Sequence, residues 1–161
     1  MSTWQLRRAT VDDLDAIMAI ESAEFGSDAW SPATMRAELG DKHGYYLVAF
    51  PPQSPAQIDA YAGLRSPRRE QQADIQTIAV SPAARRQGLG RVLMLRLIAE
   101  ARERGATEVF LEVRADNPGA QALYDSLGFE QIAVRPYYYQ PDGIEAIIMR
   151  HAIVAPEVRP A

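Results

Sequence analysis

The stretch from Ile75 to Leu97 constrains this chain more than any other: I-Q-T-I-A-V-S-P-A-A-R-R-Q-G-L-G-R-V-L-M-L-R-L. Ile75 to Val80 is rich in β-branched and apolar residues and predicts a buried strand. Ser81-Pro82 ends it, because proline cannot donate to a central ladder. A basic glycine loop, Arg85 to Gly90, follows, and then an apolar helix from about Leu89 to Arg104. Strand, glycine loop and helix N-terminus together make an anion site. The first helical amides lack intrahelical partners, and the helix dipole favours negative charge there. Gly88 and Gly90 let the backbone approach a ligand with no Cβ in between. Arg85, Arg86 and Arg91 add positive charge beside it.

The rest of the chain builds outward from this unit. Trp4 to Arg8 reads as a first strand. Thr10 is a helix N-cap before Asp12-Asp13 and the apolar positions Leu14, Ile17, Met18 and Ile20, so a helix runs to about Phe25. After a loop through Trp30, Ser31 caps a second helix with Pro32 at its first position, ending near Gly40. Tyr45 to Phe50 and Ile58 to Arg65 are strands around the proline-rich turn Pro51 to Pro55, and Ser66 to Gln72 is a loop. Gly105 closes the central helix. Thr107 to Arg114 is a strand with Val109, Leu111 and Val113 on one face and Phe110, Glu112 and Arg114 on the other. Asn117-Pro118 opens a helix through Leu127. Phe129 to Val134 and Ile144 to His151 are final strands joined by Arg135 to Gly143.

The order β-α-α-β-β-β-α-β-α-β-β predicts a mixed α/β fold. Its sheet is mostly antiparallel, with one parallel pair from the Ile75 to Val113 crossover, flanked by about four helices. A ligand cleft belongs where that central pair diverges. The 161 residues, 47% hydrophobic and 24% charged, suit a single domain over 1–154 with a disordered tail over 155–161. No apolar run approaches the ~20 residues that span a bilayer. The N-terminus lacks an apolar signal core, so a cytoplasmic protein without membrane partners is expected.

Composition also removes chemistries. There is no cysteine, which excludes disulfides, thiolate metal ligation and an acyl-cysteine intermediate. With only His43 and His151, no metal centre is expected. Seventeen Lys+Arg against 21 Asp+Glu give a net charge of −4, which argues against direct nucleic-acid binding and permits a cationic substrate. Arg65, Arg68, Arg69, Arg85, Arg86 and Arg91 cluster around the glycine loop, whereas Asp12, Asp13, Asp15, Glu21, Glu24 and Asp28 lie in the N-terminal third. One face for an anion and another for a cation is one reading; solvated helix and loop surface is the other. The oligomeric state is not legible.

The glycine loop is neither of two familiar phosphate binders. A Walker loop needs G-x-x-x-x-G-K-[ST], which is absent. A dinucleotide fingerprint needs a third glycine where Leu93 stands. What remains, Arg85-x-x-Gly88-x-Gly90 after a strand ending I-A-V, is similar to the signature of the GNAT superfamily of N-acetyltransferases. The resemblance extends over nearly the whole chain. I-A-V-S-P with R-R-Q-G-L-G-R, then L-E-V-R-A-D-N, A-L-Y-D-S-L-G-F, R-P-Y-Y-Y and D-G-I-E-A-I-I-M resemble the RimI-type ribosomal-protein-alanine N-acetyltransferases.

The resemblance implies a GNAT fold with acetyl-CoA as co-substrate. It implies as acceptor the N-terminal alanine of a ribosomal protein, small-subunit protein eighteen. It implies that Ile78, Ala79 and Val80 contact the acetyl-pantetheine arm, that Arg86, Gln87, Gly88, Leu89, Gly90 and Arg91 wrap the pyrophosphate, and that Asn117 lies near the thioester. Glu112 matches the general base and Tyr124 the general acid. Trp30, Tyr137 and Tyr138 match walls of the peptide site, in a tyrosine run that includes Tyr139. One departure falls in the acceptor region: Ala29 stands where the family commonly has proline before Trp-Ser.

The residue chemistry is compatible. An α-amino group with a pKa near ~8 needs to lose one proton, and a thiol leaving group near ~8.5 needs to gain one. Asn117, Gln121 and Tyr124 are spaced i, i+4, i+7, on one helical face. Direct attack of the amine on the thioester follows from the absence of cysteine. Plainer readings stand beside these. Glu112 also fits a solvated strand carboxylate, Tyr124 core packing, and Asn117 a helix cap. An acetyltransferase of small amines or lysine side chains, and a non-catalytic CoA-binding ribosome-assembly module, are the alternative functions.

Overall fold

The computed structural model describes residues 3–153. The expected disordered tail lies outside that range. The helices are α1 (Leu14–Phe25), α2 (Pro32–Leu39), α3 (Leu89–Glu103) and α4 (Pro118–Ser126). The strands are β1 (Gln5–Arg8), β2 (Gly44–Phe50), β3 (Ala60–Arg65), β4 (Gln72–Val80), β5 (Glu108–Arg114), β6 (Glu130–Tyr139) and β7 (Ile144–Ala152). Their chain order is the one the sequence predicts. They form one sheet of order β1-β2-β3-β4-β5-β7-β6, antiparallel throughout except for the β4–β5 pair.

Local chemistry explains the boundaries. The Thr10 side chain accepts from the Asp12 amide, and Asp13 reaches back to the Thr10 amide in a capping box. The Ser31 hydroxyl accepts from the Thr34 amide ahead of α2, and Asn117 Oδ1 accepts from the Ala120 amide ahead of α4. Gly105 at φ 98° and Gly128 at φ 89° follow α3 and α4, in a left-handed conformation that costs other residues strain.

Three boundaries differ from expectation. β4 starts at Gln72, because Gln72–Asp74 pairs with Glu108–Phe110 and so turns a polar segment into ladder. β3 starts at Ala60, two residues after Ile58. β6 continues to Tyr139, so the tyrosines expected in a connecting loop lie in a strand. The β6–β7 ladder is irregular between Arg135 and Tyr139, and Tyr137 takes φ 56° there.

The core lies on both sides of the sheet. Leu89, Leu93, Met94, Leu97 and Ala101 recur on one side of α3 and pack, with Tyr124 and Leu127 of the α4 region, against Leu47, Ala62, Leu64 and Val109. On the other side Leu14 and Ile17 of α1 and Met35 of α2 pack on Tyr46, Val48 and Tyr61. Each fully buried Leu or Ile contributes roughly 1.5–3 kcal/mol of transfer free energy. Arg104 ties the C-terminal end of α3 to the sheet. Its guanidinium donates to the carbonyls of His43 at 2.9 Å, Ser66 at 3.1 Å and Gly44 at 3.3 Å, and to Glu100 at 2.8 Å.

Two irregularities create the cleft. The parallel ladder ends at the Asp74–Phe110 pair, so β4 and β5 diverge from there toward their C-terminal ends. On its other edge β4 pairs Ile75 with Leu64 and Thr77 with Gly63, leaving Gln76 as an extra residue in a bulge. A bulge bends its strand and increases its twist, which carries β4 away from β5. Tyr46 braces the bulge, since its hydroxyl donates to Gln76 Oε1 at 2.8 Å. The ring fits only because residue 63 has no side chain: a Cβ there would lie 2.2 Å from two ring atoms of Tyr46. Tyr46 is buried and tethered, so the ring has no room to yield. Gly63→Ala is therefore expected to destabilise the fold by ~1–3 kcal/mol. Chemical denaturation checks this; an unchanged midpoint would contradict the packing account.

Candidate active site

The glycine loop forms one end of the cleft. Gly88 is the N-cap of α3 at φ 81°, and no side chain caps the helix. The first amides of α3 are thus left for a ligand. Arg86 holds a left-handed φ of 62°, a strained conformation for a residue with a Cβ. Arg85 turns back instead: its Nε donates to the Val80 carbonyl at 3.0 Å, and its guanidinium pairs with Glu24. Arg91 donates to Ser126 Oγ at 3.1 Å, bracing α3 against α4.

A cavity of about 480 Å³ opens over this loop. It brings together Ile78, Ala79, Val80, Arg86, Gly88, Leu89, Gly90, Arg91, Asn117 and Tyr124. Gln87, proposed from the motif, is exposed and does not line it. The cavity suits a ligand with an anionic pyrophosphate and an apolar arm. The uncapped amides of α3 with Arg86 and Arg91 suit the first, and the unpaired edge of β4 with Leu89 and Leu123 the second. Gly90 adds clearance, since a Cβ there would already touch Leu123 at 3.4 Å.

A second cavity continues from Ile78 and Tyr124 into the splay. Glu112 of β5 and Tyr124 of α4 both line it, with Glu21, Trp30, Thr77 and Tyr139. The Tyr124 side chain is buried, and burial, with Tyr139 adding, pushes its phenol up to about 12. It therefore stays protonated at neutral pH. Glu112 keeps contact with solvent and pairs with Arg135 Nη1 at 3.2 Å. Gln121, on the same helix face as Asn117 and Tyr124, turns back instead and donates to the carbonyls of Arg114, Ala115 and Asn117.

A third cavity opens beyond Glu112, where Asp28, Asp74 and Glu112 meet Trp30, Tyr138 and Tyr139. Glu112 beside it, then burial, raises the Tyr138 phenol. Burial and then the Glu112 charge push the Tyr139 phenol up to about 12. Burial also raises the Asp74 carboxyl, with Arg65 opposing and Glu112 reinforcing. Tyr137 is 76% exposed and does not line the cavity; Tyr139 does.

Two residues shape these walls that the motif did not single out. Arg114, at the end of β5, pairs with Asp28 of the α1–α2 loop, Asp116 at 2.9 Å and Asp142 of the β6–β7 turn at 3.4 Å. Its guanidinium also lies over the Tyr139 ring, 5.1 Å from the centroid. Glu21 is an acid inside α1 that is only 2% exposed. The signal was present: Leu14, Ile17 and Glu21 recur at spacings of three and four, on the inward face. Among the described residues, no cluster of His, Cys, Asp or Glu is arranged to hold a metal ion. No described helix is long and apolar enough to cross a membrane.

Comparison with known proteins agrees with this fold. The family model described as "Acetyltransferase (GNAT) family" matches residues 14–129. The N-alpha-acetyltransferase RimI of Mycobacterium tuberculosis is 39% identical over 129 residues, covering 78% of this chain and 77% of that protein. The [ribosomal protein bS18]-alanine N-acetyltransferase of Escherichia coli K12 is 40% identical over 122 residues, 74% of this chain and 78% of that protein. The crystal structure of the ribosomal-protein-S18-alanine N-acetyltransferase from Escherichia coli superposes with a TM-score of 0.84 at 32% identity, covering 99% of each chain. A glycine loop on an uncapped helix, a sheet splayed at its one parallel pair, and matches of this extent place the chain in the GNAT family of acetyltransferases.

Proposed function

We propose that this acetyltransferase uses acetyl-CoA to acetylate the α-amino group of an N-terminal alanine, with small-subunit ribosomal protein eighteen (bS18) as acceptor. The observation that carries the reading is the continuity of the cleft: Glu112 and Tyr124 share the cavity that joins the glycine loop to the tyrosine wall. Two relatives near 40% identity bear names for N-terminal acetylation, one of them naming the bS18 alanine.

Acetyl-CoA, when bound, supplies the activated acetyl group as a thioester. The uncapped amides of α3 with Arg86 and Arg91 would hold its pyrophosphate, and Ile78, Ala79 and Val80 its arm. Glu112 takes the one proton that an α-ammonium of pKa near ~8 must lose before its nitrogen can attack. Its partner Arg135, at 3.2 Å, holds the carboxylate in place at the cavity wall. Tyr124 Oη, protonated at neutral pH, holds a proton for the departing sulfur. On the far side Asp28, Asp74 and Glu112 outnumber Arg135, which favours a cationic acceptor. With no cysteine in the chain, the amine nitrogen forms its new bond to the acetyl carbon directly, as the carbon–sulfur bond breaks.

Glu112→Gln and Tyr124→Phe are each expected to lower turnover of an alanine-initiated peptide by ~10²-fold or more while CoA binding persists. Steady-state kinetics with calorimetric titration of CoA checks this, and unchanged turnover in both variants would remove the assigned roles. CoA should raise the melting temperature, by ~2.7 kcal/mol of linkage at one hundred times Kd. Gly88→Val puts a β-branched residue into left-handed backbone at ~1–3 kcal/mol of strain and should weaken CoA binding by ~10-fold. No thermal shift of the native protein at millimolar CoA would contradict the donor site. Alanine-initiated peptides should outcompete polyamines and N-terminally blocked lysine peptides; a preference for either of the latter would contradict the acceptor reading.

A further inference from the structure

A buried carboxylate that the chemistry above does not use lies at the wall of the central cavity. Glu21 accepts from the Trp30 amide at 3.0 Å through Oε2. Through Oε1 it accepts from Thr77 Oγ1 at 3.0 Å and from the Tyr61 hydroxyl. Tyr61 is itself fully buried, and burial and Glu21 both push its phenol well above the usual range. An acid at this depth is costly unless several donors satisfy it, and here three do. These donors come from three places: β3, β4 just past the Gln76 bulge, and the loop between α1 and α2. Within that loop the contact falls on the backbone of Trp30, a residue that lines both the central cavity and the acceptor-side cavity.

We propose that Glu21 is the positioning residue of the acceptor site, fixing the Trp30 wall to the splayed strand so that the incoming amine meets Glu112 in register. The inference rests on the acceptor assignment above. The hydrogen-bond partners of Glu21 lie outside the glycine loop, and it does not line the cavity over that loop. Its removal should therefore act on the acceptor and spare the donor. At Ala29 the chain lacks a proline to stiffen this loop; the Glu21 tether, the Asp28–Arg114 pair and the Ala29 amide donating to the Gly26 carbonyl at 3.1 Å hold it.

The test combines kinetics with a reporter that needs no activity. The chain has two tryptophans, Trp4 and Trp30, so Trp4→Phe leaves Trp30 as the sole indole. In that background Glu21→Ala should raise the peptide KM by ~10-fold, leave kcat and the acetyl-CoA KM within ~3-fold, and increase acrylamide quenching of Trp30. Glu21→Gln keeps an oxygen for the Trp30 amide and lets the two hydroxyls turn to accept from its amide group. It should return the peptide KM to within ~3-fold of native and restore the quenching. If Glu21→Ala does not fold, the Tyr61→Phe/Thr77→Val pair removes two of the three donors and should raise both peptide KM and quenching. Native quenching and native peptide KM in the variant that folds would overturn the proposal. So would equal losses in peptide and acetyl-CoA KM that Glu21→Gln does not rescue. Failure of the acceptor reading would look different: the native enzyme would acetylate no alanine-initiated peptide, while the quenching change would persist.

Discussion

The site depends on one interruption of the sheet. β4 and β5 share a parallel ladder only as far as Asp74 and Phe110, and the Gln76 bulge on the opposite edge bends β4 away beyond that point. An unpaired strand edge is normally a liability. Here it opens a channel through the middle of the domain, with Ile78, Ala79 and Val80 along one wall and Glu112 along the other. The interruption is held open by packing. Tyr46 occupies the space that a side chain at Gly63 would take, and its hydroxyl holds Gln76 in the bulge. α3 crosses from one splayed strand to the other and presents its uncapped N-terminus at the mouth.

Around that opening the walls are separate pieces of chain, and charged side chains bind them together. Arg114 draws the α1–α2 loop, the α4 entry and the β6–β7 turn onto the end of β5, two residues beyond Glu112. Its several carboxylate partners raise its pKa well above the ordinary value, so its charge is constant at any physiological pH. Glu21 does the equivalent from the other side of the splay, in a buried rather than a half-exposed setting. The glycine-loop side has fewer such ties, because backbone amides and two glycines define it. This asymmetry accounts for a glycine-loop wall that a short motif can describe and a far wall that it cannot.

That asymmetry also governs how much could be read from the residues alone. The element order, the caps at Thr10, Ser31 and Asn117, and the strand–loop–helix order around Gly88 follow from local patterns, which act over a few residues. The family resemblance agrees with the matched family and the superposed fold. The bulge was not legible, because a period of two along β4 does not report how many residues the partner strand opposes. Which tyrosine faces the cavity was not legible either: the irregularity after Arg135 turns Tyr137 outward and brings Tyr139 in. The inward spacing of Glu21 was legible, but its partners were not. Its hydroxyl partners lie 40 and 56 positions away, and only the assembled sheet brings them to it.

The central claim is that the splay delivers a protein N-terminus to Glu112 and Tyr124. The most direct measurement is the intact mass of small-subunit ribosomal protein eighteen after incubation with this chain and acetyl-CoA, followed by fragment-ion localisation. The account predicts a single added acetyl group on the α-nitrogen of the N-terminal alanine. An unmodified protein, or acetyl groups on lysine side chains with the N-terminus free, would contradict it.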